Sequence, residues 1–107
     1  MDISDWRRKI DAIDAKLVDL LNERAEAARE IGRLKSQLGM PIYEPKREEE
    51  IFGNIETWSK GPLKGRHLVQ IYERLIDVMR NLQREEIAPE APADSGADTE
   101  LDAEVND

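Results

Sequence analysis

Cysteine is absent from this 107-residue chain, histidine occurs once, and aromatic side chains make up 5% of it. Without cysteine there is no disulfide framework, no thiolate nucleophile and no Cys-ligated zinc site, and a lone histidine cannot build a His-rich one. No stretch approaches the roughly 18 consecutive apolar residues of a membrane-spanning helix. The amino-terminal stretch from Met1 to Asp14 mixes charges from the start instead of showing the short apolar run of a secretory leader. These absences lead to the expectation of a cytoplasmic protein with one small domain and no membrane partner. A Gly-rich phosphate loop, a Ser-His-Asp set and carboxylates at metal-ligand spacing are missing as well. An enzyme built on this chain therefore has to work by positioning and charge stabilisation rather than through a nucleophile. His67, at the entry to a predicted helix, reads as a capping or surface residue, because a catalytic base needs an orienting partner.

What is abundant is charge, with 24 acidic against 16 basic side chains and a net charge of −8. Seven of the acids (Glu90, Asp94, Asp98, Glu100, Asp102, Glu104 and Asp107) fall between Ala88 and Asp107, a stretch without basic residues. Residues 1–87 are therefore nearly neutral. Residues 88–107 are rich in Ala, Pro, Asp and Glu and offer only Leu101 and Val105 as sizeable apolar groups, too little burial to offset the entropy of ordering them. The reading is a folded domain over 1–87 followed by an acidic disordered tail. The basic loop from Ser59 to Arg66 lacks stacking aromatics, so no nucleic-acid partner is expected.

Helix signals dominate residues 1–87, and the fold class is all-α with three helices per chain. With Ser4 or Asp5 as N-cap, Trp6, Ile10, Ile13, Leu17 and Leu20 repeat at steps of four and three. The step passes through position 24 to Ala27, Ile31, Leu34 and Leu38, and Gly39 ends it, which predicts a first helix over 5–38. Such a helix is about 50 Å long, whereas a compact 87-residue domain is about 30 Å across. A second chain packing along the stripe is the simplest way to cover it, so an intertwined six-helix homodimer is the expected architecture. Pro45 suits the first turn of a second helix over 45–58, with Ile51, Phe52, Ile55 and Trp58 on its apolar face. Gly61, Pro62 and Gly65 mark a loop, and a third helix over 67–87 carries Leu68, Ile71, Tyr72, Leu75, Met79 and Leu82 on one side.

The informative residues break these stripes. Arg24 holds a seam position between Leu20 and Ala27, and Lys35, 11 residues on, lies within about 20° of the same face. Arg47 and Glu48 border the apolar face of the second helix, and Gln83 follows Met79 by four residues on the third. Inward charge is costly without a partner, so Arg24, Lys35, Arg47, Glu48 and Gln83 need either one another or an anionic ligand. Interhelical salt bridges with snorkelling stems would explain Arg24 and Lys35, and an ordinary i,i+4 helix charge would explain Glu48. Convergence favours a site, because cations, a carboxylate and an amide from three helices can line one cavity in a bundle. A small molecule with two carboxylates and a hydroxyl suits that lining.

With WRRKIDAIDAKLVDLLNERAEAAREIGRLK from Trp6, PIYEPKREEEIF from Pro41 and IYERLIDVMRNLQ from Ile71, residues 3–87 resemble the all-helical chorismate mutases, small dimeric enzymes that convert chorismate to prephenate. The resemblance implies an isomerase of phenylalanine and tyrosine biosynthesis that needs no cofactor. By position it implies substrate-binding roles for Arg7, Arg24, Lys35, Glu44, Arg47, Glu48, Met79 and Gln83. Arginines clamp the two carboxylates, Lys35 and Gln83 hydrogen-bond the ether oxygen, Glu48 holds the ring hydroxyl and Glu44 acts through its main chain. Lys35, Gln83 and Arg24 then form the catalytic set. Met79 stands where some members have a serine that bonds a substrate carboxylate. Arg7 is implied to come from the other subunit, which spacing supports: 17 residues of helix put it about 25 Å from Arg24, too far to grip one small ligand. Two other readings stay open, an isochorismate-pyruvate lyase of the same structural family, which Glu48 argues against, and a non-catalytic dimerisation or regulatory module.

Overall fold

The computed structural model describes residues 1–87, so the expected acidic tail lies outside the described residues. Three helices follow one another, α1 (Ile3–Leu38), α2 (Pro45–Trp58) and α3 (Gly65–Ile87), with no strand among the described residues. The helix start differs from the sequence reading. Asp2, not Ser4 or Asp5, is the N-cap: its carboxylate accepts from the Asp5 N–H at 2.9 Å, and Asp5 returns the bond to the Asp2 N–H at 3.0 Å. This reciprocal box satisfies two of the donors that a helix start leaves open. The far end is as expected, because Gly39 takes the left-handed conformation (φ +71°) that glycine adopts without Cβ strain and closes the last turn onto Lys35 and Ser36 carbonyls. α3 starts at Gly65, two residues before the predicted start. His67 performs the capping role expected of it, its Nδ1 accepting the Lys64 N–H at 2.9 Å.

α3 is the centre of the fold. It packs on α1 along one side and on α2 along the other, while α1 and α2 do not pack on each other. The molecule measures 54 × 32 × 21 Å, its long dimension set by the 36 residues of α1. The face α1 turns to α3 is not the large apolar stripe. Ala28, Gly32 and Lys35 are the buried residues, flanked by half-buried Leu21, Arg24 and Ala25. Ile31, Leu34 and Leu38 lie about a quarter turn away and are exposed, as is every apolar side chain from Ile3 to Leu20. Small residues let two helix axes approach, and the large apolar stripe is left for something else.

On α3 the buried positions are Ile76, Met79 and Gln83, three and four residues apart. Ile71, predicted on this face, is 52% exposed, and Ile76 takes the core place instead. From α2 only Ile55 is buried, whereas Trp58 is exposed. Ala28, Ile55, Ile76 and Met79 are the buried apolar residues among the described residues, and none of them is wholly shut off from solvent, a thin core for 87 residues. No helix among the described residues is long and apolar enough to cross a membrane.

Candidate active site

Because α1 and α2 each lean on α3 without meeting, a cavity of about 530 Å³ opens between them. Its apolar lining comes from Ala28, Ile31, Ile42, Ile51, Ile76 and Met79. Set into that lining are the cations Arg24, Lys35, Lys46, Arg47 and Arg80, the acids Glu44, Glu48 and Glu50, and the amide of Gln83. Five positive against three negative groups leave the walls with a formal excess of two positive charges, in a chain whose net charge is −8. That local inversion suits a ligand carrying two negative charges.

Lys35 is 7% exposed, and burying an ammonium is costly unless its hydrogen bonds are made. It donates to the Ile42 carbonyl at 2.9 Å and pairs with Glu44 Oε1 at 2.7 Å. These bonds engage two of its three donors. Gly39 and Pro41 turn the chain so that the Met40–Glu44 link runs back past the last turn of α1, which brings both partners within reach. Glu44 is the N-cap of α2 but makes no side-chain cap bond, because its carboxylate is spent on Lys35; Pro45 at the first position has no N–H to satisfy. The family resemblance gave Glu44 a main-chain role, whereas here its side chain is engaged.

Gln83, 8% exposed, lines the same cavity from α3 and donates through Nε2 to the Ala28 carbonyl at 2.7 Å. The bond fixes which way the amide points and leaves its second N–H available. A feature the sequence reading missed makes this possible. A Cβ added at Gly32 would lie 3.0 Å from Cγ and 3.1 Å from Cβ of Gln83, tighter than ordinary contact, so glycine gives the glutamine room to sit at this depth without being displaced. The available signal was a glycine in the middle of a helix, where it costs about 1 kcal/mol relative to alanine and calls for a packing reason.

Arg24 sits at the cavity edge with its guanidinium 5.9 Å over the Tyr72 ring, and no ion pair engages it among the described residues. The salt bridge that would have explained Arg24 structurally is therefore absent, whereas for Lys35 it is present. Arg47 is exposed at the rim, paired with Glu50 at 3.1 Å across one turn of α2. Glu48 is half-buried and binds Arg80 Nη2 at 2.5 Å. Arg80, also missed in the sequence, has its pKa pushed further up by that hydrogen bond, so it stays charged at any working pH. Met79 is buried in the wall. Arg7 is not part of this constellation, lying 17 residues up α1 from Arg24.

Residues 6–84 match the family described as chorismate mutase type II. A bifunctional chorismate mutase/prephenate dehydratase of Aquifex aeolicus is 38% identical over 87 residues, a match that covers 78% of this chain and 24% of that protein. A chorismate mutase of Methanocaldococcus jannaschii is 33% identical over 84 residues, covering 78% of this chain and 85% of that one. The chain thus spans about a quarter of the bifunctional relative and most of the shorter one. Among solved structures, chorismate mutase from Helicobacter pylori in complex with prephenate superposes with a TM-score of 0.74 at 34% identity, over 79% of this chain and 92% of that one. A match over nearly the whole described region, joined to a three-helix cavity with an excess of cations, identifies the chain as a member of the chorismate mutase type II family.

Proposed function

We propose that this chain catalyses the rearrangement of chorismate to prephenate, a step toward phenylalanine and tyrosine. The observation that carries the reading is the gathering of Lys35, Gln83, Arg24, Arg47 and Glu48 from three helices around one cation-rich cavity. The reaction is a unimolecular Claisen rearrangement: the ether C–O bond breaks as a C–C bond forms, and no proton or external group is transferred. It therefore asks little of side-chain chemistry and much of geometry. The site has to hold the enolpyruvyl arm over the ring and meet the negative charge that gathers on the ether oxygen. The third donor of Lys35 and the second N–H of Gln83 are suited to that oxygen, each held in place by bonds already made. Arg24, with no ion-pair partner among the described residues, and Arg47, in an exposed pair, are suited to carboxylates. Glu48 is suited to a hydroxyl. Met79 brings no donor, so the carboxylate near it relies on arginine.

The same reading includes a homodimer. The uncovered stripe of α1 needs a long apolar partner, and a second copy supplies one of equal length. In an intertwined pair, Arg7 of one chain reaches the cavity of the other, which resolves its distance from Arg24. The test is a continuous ultraviolet assay of the purified chain with chorismate alone, with prephenate identified by acid conversion to phenylpyruvate. Loss of chorismate with prephenate formed is the expected result. No turnover, or release of pyruvate from isochorismate instead, overturns the reading.

A further inference from the structure

We propose that Arg80 is a positioning residue, one that fixes the direction in which Glu48 presents its carboxylate to the cavity; the inference rests on the chorismate mutase reading and deepens it. Glu48 projects from the first turn of α2 on a side chain with several rotatable bonds, and left alone it would lose orientation to rotamer entropy. One of its oxygens, Oε2, is taken by Arg80 Nη2 at 2.5 Å. A carboxylate held at one oxygen offers the other along a defined direction.

Arg80 is itself held from three sides. Its Nη1 donates to Asp77 at 3.1 Å one turn earlier on α3, its Nη2 binds Glu48, and its guanidinium lies 5.0 Å over the Tyr43 ring. A planar guanidinium gripped at two nitrogens and stacked on a face has little freedom left, so it transmits orientation as well as charge. The contacts also bind three parts of the fold: Tyr43 in the link after α1, Glu48 on α2 and Arg80 on α3. Both Arg80 and Glu48 line the cavity, with side chains 19% and 21% exposed, so the bond is partly sheltered from water.

The test is a double-mutant cycle on kcat/KM for chorismate with wild type, Arg80→Met, Glu48→Gln and both together, with Arg80→Gln in place of Arg80→Met if the methionine variant does not fold. Arg80→Met is expected to lower kcat/KM about 20-fold in the wild-type background and less than about 2-fold beside Glu48→Gln, because a residue acting through Glu48 has nothing to position once that carboxylate is gone. A cost that persists undiminished beside Glu48→Gln overturns the proposal, since Arg80 then acts on the ligand or on folding directly. A second readout is independent of turnover. In nitrogen-resolved NMR spectra the Arg80 Nη protons are expected to give separate lines in the wild type and one averaged line in Glu48→Gln; an averaged line in the wild type also overturns the proposal. Wild-type protein that leaves chorismate unchanged defeats the mutase reading instead, and the NMR arm still decides whether Arg80 holds Glu48.

Discussion

Two faces of α1 have opposite fates. The face covered by α3 is made of Ala28, Gly32 and Lys35, with Arg24 at its edge, and is poor in large apolar groups. The other carries Trp6, Ile10, Ile13, Leu17, Leu20, Ile31, Leu34 and Leu38 and is uncovered within one chain. The apolar face by itself would favour the reverse, because burying a Leu or Ile side chain contributes roughly 1.5–3 kcal/mol and burying a lysine costs. The contrast implies a division of labour. Small residues allow the close approach that builds a cavity lined by polar groups, while the large stripe is left open to the proposed second chain, which would supply the hydrophobic stabilisation the thin intrachain core lacks.

Breaking the open stripe should have the largest effect. Ile13→Glu combined with Leu17→Glu places two charges where a partner helix is proposed to pack, and the expected species sediments at 12.3 kDa rather than twice that, with mutase activity lost. A variant that sediments and turns over like the wild type would show that the stripe has no role in assembly. Lys35→Ala, on the covered face, is expected to lower kcat at least about 10²-fold, in line with removing a preorganised donor. Its mass in solution should be unchanged, which separates the two faces by experiment; near-normal turnover sinks the role given to Lys35.

Much of this division was legible in the sequence. Three helices, the Gly39 stop, Pro45 at the head of α2 and the inward placement of Lys35, Glu48 and Gln83 all follow from periodicity and from polar residues that interrupt it. What escaped has physical reasons. Apolar spacing shows which side of α1 is sticky, not which neighbour covers which side, so the seat of α3 on the small-residue face, a quarter turn from the large stripe, could not be read from it. Ile71 and Ile76 both fit an apolar face of α3, and only docking against α1 and α2 selects Ile76. Arg80 follows a buried methionine and precedes a polar residue, as any surface arginine would; its partners Glu48 and Tyr43 are distant in sequence. Asp2 could have been read as the start of α1, since Asp2 and Asp5 stand at the spacing of a capping box.

Gly32→Ala sharpens the comparison from inside the covered face. The new methyl meets Gln83 Cγ at 3.0 Å, so the side chain that carries the amide has to shift by a few tenths of an ångström, whereas alanine is the better helix former by about 1 kcal/mol. Turnover is expected to fall about 10-fold while the melting temperature changes little, the clash and the propensity gain offsetting each other. A variant with full turnover would mean that Gln83 tolerates displacement, and the close approach of α3 to α1 would lose its functional explanation.

The smallest effect belongs to the rim of the same interface. Glu86 of α3 accepts from Arg29 Nε at 3.1 Å and from Arg33 Nη2 at 3.3 Å, tying the two helices one turn beyond Gln83. Arg33 is also paired with Glu30, and the two acids together push its pKa up. These groups are partly open to water, from Glu86 at 26% to Glu30 at 61%, so solvent and salt screen them and side-chain entropy opposes them. Glu86→Gln should therefore lower Tm by no more than about 3 °C and leave kcat unchanged, with the difference shrinking further in 0.5 M salt. A drop of about 10 °C, or one that salt does not reduce, would place this bridge among the groups that hold α3 on α1, and the small-residue contact at Ala28 and Gly32 would no longer account for that packing alone.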